Sequence, residues 1–361
     1  MKVYALIIAG GVGARFWPRS RERSPKQLLE IVGHGTMIQN TVFRLDPIVP
    51  ASNILIVTNA LQADEIARQL PQIPRENILV EPAGRNTAPA IALGAEVLKR
   101  RAGDVVMVVL PADHLVHDVA AFQDTLRRAI HTAVKTRGLV TIGIRPTRPE
   151  TGYGYIQYDD RNVDPKIASL GAYAVKTFAE KPNEQTARSF LESGDFLWNS
   201  GMFVFKVSAI LNRFAEHLPD VADEFHRLRP TIDTPEFAKA LEIAYREMRS
   251  ISIDYGIMEK ADKRFILPSE FGWNDLGSWD EAFRVADKDE HGNAAQGNVF
   301  LRDVTDCHVS TSGKRVLAAI GVKNLTIIDT DDAVLICARD RSQEVKEIVD
   351  ELRKRNLKKY L

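Results

Sequence analysis

Short apolar runs alternate with longer amphipathic segments from residue 3 to about residue 145, and this alternation restricts the fold more than any other feature. The short runs predict strands, and the segments between them have the apolar spacing of helices. Because strands this uniformly apolar are usually buried on both faces, the pattern predicts a mostly parallel sheet covered by helices. Ligands of such sheets bind at the carboxyl ends of the strands. The predicted strands are 3–9, 54–58, 105–110 and 139–143, and the predicted helices are 36–45, 61–70, 88–101 and 119–137.

The pattern changes twice in the rest of the chain. From about residue 150 to 285, aromatic strand-like pieces mix with helical stretches, which is typical of an insertion that completes the first unit. After Gly292, short β-rich runs are separated by polar turns at nearly regular spacing. This series predicts a small domain of stacked strands, closed by an amphipathic helix at 343–354. We therefore expect a domain boundary between residues 288 and 289.

Composition excludes several classes of function. The 361 residues suffice for two domains, and 48 Lys and Arg balance 48 Asp and Glu. A chain without net charge has no strong field for nucleic acid or an acidic membrane, so neither is an expected partner. The two cysteines, Cys307 and Cys337, are too few for a disulfide framework and favour a cytoplasmic location. The first apolar run is too short for a signal peptide or a membrane span.

Three glycines follow the first predicted strand directly, at Gly10, Gly11 and Gly13. Glycines allow backbone N–H groups to approach phosphate oxygens closely. Arg15 and Lys26 add cationic donors in the same stretch. The segment therefore predicts a loop that binds the phosphates of a nucleoside triphosphate.

Two other interpretations of this loop remain open. One is a glycine-rich turn without a ligand, and the other is the dinucleotide-binding fingerprint with three spaced glycines. Phe16 occupies the position of the third glycine, and Arg15 and Lys26 have no role in that fingerprint, so a dehydrogenase is disfavoured. The loop also differs from the P-loop of many NTPases, because no Gly-Lys-Ser/Thr follows.

Further motifs resemble those of the sugar-nucleotidyltransferase family, in the family's order along nearly the whole chain. The Trp-Pro and Lys-Gln variants of the first motif are similar to the mannose-1-phosphate guanylyltransferase (GDP-mannose pyrophosphorylase) branch. The matching segments are 10–18 with 25–27, 81–89, 111–114, 151–156, 178–182, 198–203, 252–255 and 272–279. The resemblance implies an α/β fold with a Rossmann-like, mostly parallel mixed sheet flanked by helices and a small C-terminal β-helix-like domain. It implies a nucleotidyltransferase catalytic domain at 1–288 and the β-helix-like domain, with its closing helix, at 289–361.

Two aspartates are the expected metal ligands. Asp113 follows a predicted strand at the sheet edge where substrates bind, and Mg²⁺ prefers such oxygen ligands. An aspartate after a strand is, taken singly, more often a cap or turn residue. The resemblance implies that Asp275, in a Gly/Trp-rich turn, supplies a second carboxylate to the same ion. It also implies that Arg15, Lys26, Asp113 and Asp275 together form the catalytic set.

Two residues beside these carboxylates need separate comment. We expect His114 to be structural, since imidazole is a poor Mg²⁺ ligand and the reaction needs no proton transfer there. Asn274 stands where this branch is expected to carry serine, so the sequence departs from the family pattern at the turn that carries Asp275.

A second group of residues has the chemistry of a sugar-phosphate site. Glu180 offers an acceptor for sugar hydroxyls, and Lys181 a cation for the sugar phosphate, although Glu-Lys-Pro alone is a common solvated turn. The resemblance assigns Glu180 and Asn199 to the hexose and Lys181 to its phosphate. It also gives Gly154 a close backbone approach to the sugar ring. Trp198 is expected to belong to a core strand.

The segment Arg85, Asn86, Thr87 precedes a predicted helix, and Asn86 or Thr87 is the expected N-cap. Guanine presents N1–H and N2–H₂ donors beside an O6 acceptor, so its pocket needs paired acceptors and a donor. Backbone groups of this segment and of residues 9–10 are able to supply them. Selectivity for guanine is implied by the resemblance alone.

The implied reaction joins GTP and mannose 1-phosphate to give GDP-mannose and pyrophosphate, assisted by Mg²⁺. A sugar phosphate is largely dianionic near neutral pH, so it attacks the α-phosphate in line without a general base. A transferase for glucose or heptose phosphate is the first alternative. A non-catalytic nucleotide-sensing subunit is disfavoured, because all the charged residues of the expected centre are present.

The C-terminal strands also suggest how chains associate. Small terminal β domains in this family pack subunits together, so we expect a homodimer. Bifunctional relatives continue into a phosphomannose isomerase domain near the point where this sequence stops, so we expect no isomerase activity.

Overall fold

The structure of the protein, a computed structural model, describes residues 2–11, 13–161, 164–312 and 315–361. Val12 of the glycine motif lies outside these described residues. The chain divides into two compact units, each built from several segments. Unit 1 comprises the chain up to Gly10 together with Thr41–Ala112 and Val116–Trp273, and unit 2 comprises Gly11–Asn40, Asp113–Leu115 and Asn274–Leu361. The domain boundary at 288/289 stays a prediction.

The strands form the sheets of both units. Within the described residues they are β1 (Val3–Ile8), β2 (Ile54–Asn59), β3 (Ile78–Glu81), β4 (Val106–Pro111), β5 (Leu115–Val116), β6 (Leu139–Ile144), β7 (Gly154–Asp159), β8 (Tyr173–Glu180), β9 (Phe196–Lys206), β10 (Arg264–Ser269), β11 (Trp273–Asn274), β12 (Ala294–Gln296), β13 (Val299–Arg302), β14 (His308–Thr311), β15 (Leu317–Ile320), β16 (Leu325–Asp329) and β17 (Val334–Ala338).

Helices occur in both units. Within the described residues they are α1 (Met37–Phe43), α2 (Ala63–Gln69), α3 (Thr87–Ala102), α4 (Val119–Thr136), α5 (Pro165–Ala168), α6 (Glu184–Ser193), α7 (Val207–His217), α8 (Pro219–Leu228), α9 (Phe237–Glu247), α10 (Trp279–Val285) and α11 (Val345–Lys354).

A nine-stranded mixed sheet forms the centre of unit 1, in the order β3-β2-β1-β4-β9-β6-β10-β8-β7. The first four strands of this order are parallel, as are β6 and β10. Strand β9 pairs antiparallel with both β4 and β6, and β7 with both β8 and β9. The insertion predicted at 150–285 therefore adds its strands to the first sheet, and the sheet is parallel on one side and mixed on the other.

The predicted strands and helices of the first 145 residues are confirmed to within about two residues at each end. Strand β3 was missed because a run of only four residues has too short a pattern to stand out. Helix α3 is almost wholly buried in the core of unit 1, with Ala92 and Ala95 among its small packing residues. Its Gly94 lies against Leu6 of β1, where a Cβ would come within 2.5 Å of a methyl carbon.

Parallel strands of unit 2 stack as successive coils. Strands β12, β14 and β16 are parallel neighbours, with Ala294, His308 and Thr326 in register, and β13 pairs parallel with β15. Such stacking of short parallel strands is the arrangement of a β-helix. Strand β17 then closes the stack by pairing antiparallel with β16.

Helix α11 packs its apolar face within unit 2. Val345 and Val349 share a buried cluster with Phe16, Trp17 and Trp279. The rings of Phe16 and Trp279 lie 4.9 Å apart, and the indole nitrogen of Trp279 donates to the Trp17 carbonyl oxygen. The aromatic residues of the first motif therefore serve the core of unit 2. None of the described helices is both long enough and apolar enough to span a bilayer.

Candidate active site

A cavity of about 420 Å³ in unit 2 is lined by all four residues of the expected catalytic set. We call it the carboxylate cavity, defined by Lys26, Asp113 and Asp275, with Arg15 beside them. These residues come from three separate segments of the chain. Folding of unit 2 thus brings the two predicted metal ligands to one cavity.

Lys26 is the buried centre of this cavity, with only 5% of its side chain exposed. Its ammonium pairs with Asp113 Oδ2 at 2.8 Å and donates to the carbonyl oxygens of Asp275 at 2.7 Å and Leu276 at 3.0 Å. An ammonium has three N–H donors, so these three contacts use all of them. Lys26 therefore holds Asp113 beside the turn that carries Asp275.

The environment of Asp113 keeps its carboxylate ionised. Burial by itself raises the pKa of this carboxyl, but the charge of Lys26, the nearby His114 and the hydrogen bond to Lys26 outweigh that cost. The net pKa of Asp113 lies below its usual value. His114 Nε2 lies 3.9 Å from Asp113 Oδ1, so this histidine is the electrostatic neighbour of a site residue.

The Asp275 turn is held by Asn274, the residue that departs from the family pattern. The backbone N–H of Leu276 donates to Asn274 Oδ1 at 2.6 Å, and Asn274 Nδ2 donates to Glu281 Oε2 at 2.9 Å. An asparagine that accepts from the backbone two residues ahead forms an Asx-turn. The amide also reaches helix α10, which carries Glu281, so the Asn274 side chain holds the turn to that helix.

The glycines of the first motif differ in what the fold requires of them. Gly13 has a φ of +64°, and a Cβ there would lie 2.5 Å from Lys26 Cβ. Gly11 has open space where its Cβ would stand. Gly10 belongs to unit 1, where it follows β1. The fold thus needs glycine at 13 to seat Lys26, whereas none of the described residues would contact a Cβ at position 11.

Arg15 and two residues of helix α11 add further positive charge to the carboxylate cavity. Arg15 is exposed in a short 3₁₀ turn, Ala14–Phe16, and Lys346 and Arg353 line the same cavity. Sequence reasoning missed Lys346 and Arg353, because it treated the helix only as a closing element. Their separation of seven residues, two helical turns, was the available signal that they share one face.

A second cluster of polar residues lies in unit 1, and we call Glu180, Lys181, Asn199 and Asp254 the carboxylate–amide cluster. Lys181 Nζ lies 2.7 Å from Glu180 Oε1. Asn199 Nδ2 donates to Asp254 Oδ1 at 2.8 Å, and Asn199 Oδ1 accepts from the N–H of Gly201. Three of the four predicted sugar residues therefore lie together, around a buried acid that the site prediction had left out.

Asp254 titrates abnormally in this environment. Burial raises its pKa to about 6, and the nearby Glu180 carboxylate acts in the same direction. The hydrogen bond from Asn199 and the charge of Lys181 oppose the shift without cancelling it. The residue occurs in one of the matched motifs, 252–255, but no pattern in the sequence shows that it is buried beside a second acid.

Gly154 belongs to the same region through its closeness to Glu180. A Cβ at Gly154 would come within 2.5 Å of Glu180 Oε2 and 3.3 Å of Asn199 Cβ. The absence of a side chain at 154 therefore makes room for the Glu180 carboxylate at the start of β7, which pairs with the end of β8.

The predicted base-recognition segment is bound to the chain around residues 245–253. Arg85 donates to the carbonyl oxygens of Tyr245 and Arg246 at the C-terminal end of α9. Asn86 is confirmed as the N-cap of α3, and its side chain accepts from the N–H of Thr87 at 2.8 Å. The Thr87 hydroxyl accepts from the N–H of Ile253. The Arg85 carbonyl oxygen also accepts from the N–H of Ile251, so side chains and backbone of this segment together brace unit 1.

Glu81 is a buried acid next to the glycine motif. Its Oε1 accepts from the Tyr245 hydroxyl at 2.7 Å, and its Oε2 lies 3.8 Å from the position of a Cβ on Gly10. Burial raises the pKa of Glu81 to about 7, and the bond from Tyr245 opposes this shift. Glu81 is the first residue of the matched segment 81–89, and the sequence predicted no role for it.

The carboxylate cavity fits a hard divalent cation. Asp113 and Asp275 both line it, and Asp113 already accommodates a positive charge, the Lys26 ammonium, at 2.8 Å. No group of three or more His, Cys, Asp or Glu side chains suited to a metal occurs in the part of the chain that the structure describes. Two carboxylates, completed by water and phosphate oxygens, are the usual protein ligands of Mg²⁺.

The fold is that of a nucleotidyltransferase. Residues 4–292 match the nucleotidyl transferase family, and residues 297–352 match the MannoseP isomerase/GMP-like beta-helix domain family. The first match covers most of the chain, so the protein belongs to the nucleotidyl transferase family. Members of this family act on a nucleoside triphosphate and a sugar 1-phosphate and use a divalent metal. The predicted fold class and the C-terminal β-helix-like domain are both confirmed.

The names of individual relatives are more specific about the reaction than the family name is. The chain is 41% identical over 354 residues to the xanthan biosynthesis protein XanB of Xanthomonas campestris pv. campestris (strain B100), covering 97% of this chain and 73% of that protein. It is 38% identical over 358 residues to mannose-1-phosphate guanylyltransferase of Escherichia coli (strain K12), covering 98% and 74%. A crystal structure from Thermus thermophilus, described as mannose-1-phosphate geranyltransferase, superposes with a TM-score of 0.85 at 35% identity, covering 98% of this chain and all of that one.

Proposed function

We propose that this enzyme transfers GMP from GTP to mannose 1-phosphate and releases GDP-mannose and pyrophosphate. The observation that carries the proposal is the carboxylate cavity, where two carboxylates lie among cationic side chains in a nucleotidyltransferase fold. The names of the relatives, which include mannose-1-phosphate guanylyltransferase, support the choice of guanine and of mannose.

The reaction depends on offsetting the repulsion between two negatively charged substrates more than on proton transfer. An oxygen of the sugar phosphate, largely dianionic near neutral pH, attacks the α-phosphorus in line, and pyrophosphate leaves. Catalysis therefore depends on positioning and on cations that offset repulsion between anions. In our proposal Arg15 contacts the triphosphate, and Lys26 keeps Asp113 and the Asp275 turn in place. Backbone groups of Gly10, Gly11 and Gly13 bind phosphate oxygens.

Asp113 and Asp275 are the residues that would hold Mg²⁺. The lowered pKa of Asp113 keeps its carboxylate charged at neutral pH, as a metal ligand must be. Bound there, the ion would neutralise charge on phosphate oxygens.

Recognition of guanine rests on Glu81 and on the backbone of the Arg85, Asn86, Thr87 segment. A carboxylate is suited to accept the paired N1–H and N2–H₂ donors of guanine. Oε2 of Glu81 has no hydrogen bond to the described residues, whereas Oε1 is held by Tyr245. Glu81 is therefore oriented by one oxygen and keeps the other for a ligand.

The carboxylate–amide cluster is the proposed mannose 1-phosphate site. Glu180 and Asp254 accept hydrogen bonds from sugar hydroxyls, and the Asn199 amide is held between Asp254 and Gly201. Lys181, with 58% of its side chain exposed, is the proposed contact of the sugar phosphate. In this arrangement Gly154 serves the sugar site by making room for Glu180.

We place the enzyme in the cytoplasm, because its two cysteines are both free thiols.

We also propose a homodimer formed through the outer face of β13 and β15, where Phe300 and Ile320 are 65% and 68% exposed. The two side chains lie on the same face of the β13–β15 pair, at diagonally neighbouring positions, and contiguous exposed apolar surface marks interaction sites. Light scattering of the protein and of F300D at micromolar concentration measures this association directly.

The test of the main proposal is an assay of pyrophosphate release. GTP, ATP and dTTP are each combined with mannose, glucose and heptose 1-phosphates. We expect the highest kcat/KM for GTP with mannose 1-phosphate. A higher value with another sugar would identify the alternative transferase, and no release with any pair would contradict catalysis.

A further inference from the structure

Helix α11 of the C-terminal segment places Lys346 and Arg353 at the carboxylate cavity. We infer that these two residues bind the pyrophosphate part of the nucleotide, first as the β- and γ-phosphates and then as the released product. The inference rests on the proposed function and extends it, because it gives the C-terminal helix a direct part in substrate binding.

The position of both side chains is determined by packing. Val345 and Val349 lie in the buried cluster with Phe16 and Trp279, which fixes the rotation of the helix within unit 2. Residues 346 and 353 are seven apart, so they project from nearly the same side of the helix, next to that buried stripe. Both cations therefore face the cavity because of the same contacts that hold the helix in place.

The other cations of the cavity are not equally available. All three donors of Lys26 are occupied by Asp113, Asp275 and Leu276, so this lysine cannot meet a phosphate without giving up a contact. Lys346, in contrast, is exposed and makes no hydrogen bond or ion pair with the described residues. It is therefore ready to pair with an anion.

Arg353 keeps donors for a ligand as well. Its Nη1 lies 3.2 Å from Asp350 Oδ1, and its Nη2 lies 3.6 Å from Glu22 Oε1. A guanidinium has five N–H donors in a planar fork, which suits phosphate oxygens. The two acidic neighbours orient the fork, and 39% of the side chain is still exposed.

The charge of the cavity supports a polyphosphate rather than a single phosphate. Without α11, Arg15 and Lys26 would only balance Asp113 and Asp275. Lys346 and Arg353 add two positive charges to the lining, and because only Arg353 has acidic neighbours among the described residues, Lys346 leaves an excess of positive charge, which is what a pyrophosphate with several negative charges requires. Because α11 also packs against the 3₁₀ turn Ala14–Phe16, these cations stand beside Arg15.

The experiment measures binding of inorganic pyrophosphate with MgCl₂ by calorimetry, together with the KM for pyrophosphate in the reverse reaction. We expect K346M and R353M each to weaken pyrophosphate binding about 10-fold, the order of one charge-assisted contact. The KM for mannose 1-phosphate should change less than about 2-fold, and K346R should recover most of the affinity. K354M, on the same helix but outside the cavity lining, is the matched control and should bind as the unaltered protein does.

Structural loss is separated from ligand binding by a second variant. If Arg353 served only to pair with Glu22, then E22Q would weaken pyrophosphate binding as much as R353M does, and this result would overturn its role. Lys346 has no partner to lose among the described residues, so K346M keeps the test decisive if R353M fails to fold.

The results also separate this inference from the proposed function. Equal pyrophosphate affinity in K346M, R353M and the unaltered enzyme would overturn the inference while turnover with GTP and mannose 1-phosphate still stood. Weakened pyrophosphate binding in both variants, in an enzyme that does not use mannose 1-phosphate, would support the inference and contradict the proposed sugar.

Discussion

The carboxylate cavity and the carboxylate–amide cluster use the same acidic residue types in opposite electrostatic settings. In the cavity, Asp113 is paired with a buried lysine, and its pKa lies below the usual value. In the cluster, Asp254 is buried beside Glu180 and hydrogen-bonded to an amide, and its pKa rises to about 6. In the proposed function, the first arrangement keeps charge for phosphates and a metal, whereas the second suits the neutral hydroxyls of a sugar. The pairing of each acid therefore indicates which kind of ligand it serves.

Removal of the lysine at the centre of the cavity should have the largest effect. We expect K26A to lower kcat roughly 10²–10³-fold, the cost of losing one preorganised charge at a reaction centre. Asp113 and the Asp275 turn would both lose their shared partner. Steady-state kinetics on folded protein measure the effect, with K354A as the exposed control on the same unit. An unchanged kcat in folded K26A would refute this role.

Two glycines allow the packing of the two regions to be compared. G13A places a Cβ 2.5 Å from Lys26 Cβ at a φ of +64°, so we expect it to lower the free energy of unfolding by about 2 kcal/mol. The closest contact of G154A, at 2.5 Å, is the flexible end of Glu180, and Asn199 Cβ lies at 3.3 Å, so its stability should fall by less than about 1 kcal/mol while the KM for the sugar phosphate rises.

Urea denaturation of both variants measures these changes, and G11A, with open space around its Cβ position, is the control for stability. If G13A unfolded at the same urea concentration as the unaltered protein, the seating of Lys26 would not depend on glycine.

Substitution of Asp254, whose pKa is raised, should change the KM for mannose 1-phosphate and leave the KM for GTP unchanged. We expect D254N to raise the KM for mannose 1-phosphate about 10-fold, because a charged acceptor for hydroxyls becomes an amide. In the unaltered enzyme this KM should fall more steeply as the pH rises through about 6 than in D254N, where only the sugar phosphate, with its own pKa of about 6, still ionises. KM measurements for both substrates between pH 5 and 8 test this, and a parallel rise in the KM for GTP would contradict it.

The same pKa has a consequence for stability. The folded protein binds the Asp254 proton more tightly than the unfolded chain, whose ordinary pKa is 3.8. The resulting stabilisation is complete below that value and is lost as the pH rises to about 6. Thermal unfolding of D254N should therefore depend less on pH in this window than that of the unaltered enzyme.

The smallest expected effect concerns Glu81. Its pKa of about 7 means that the carboxylate form, which accepts from guanine, becomes the major form only above neutral pH. We expect the KM for GTP to fall about 3-fold between pH 6 and 8, and E81Q to remove this dependence and narrow the preference for GTP over ATP. An E81Q enzyme with unaltered base preference would show that the backbone alone selects guanine.

Much of the fold was predictable from the sequence because buried segments have a local pattern of apolar residues. The apolar runs located β1, β2, β4 and β6, and the polar pair before an apolar helix predicted an N-cap at Asn86 or Thr87, of which the structure has Asn86. The chemistry of the site was predictable only where the motifs resemble those of a family, since no periodicity relates Asp113 to Asp275.

The sequence by itself determined the α/β pattern, the glycine loop and the charged residues available for phosphate chemistry. Only the tertiary structure decided that all three N–H donors of Lys26 are used by the Asp113 and Asp275 segments. It also decided that Asp254 is buried beside Glu180, and that α11 places Lys346 and Arg353 at the carboxylate cavity. The physical reason is that local periodicity reports which side of a segment is buried. The approach of distant segments depends on how whole cores pack, and neighbouring residues in the chain carry no signal of it.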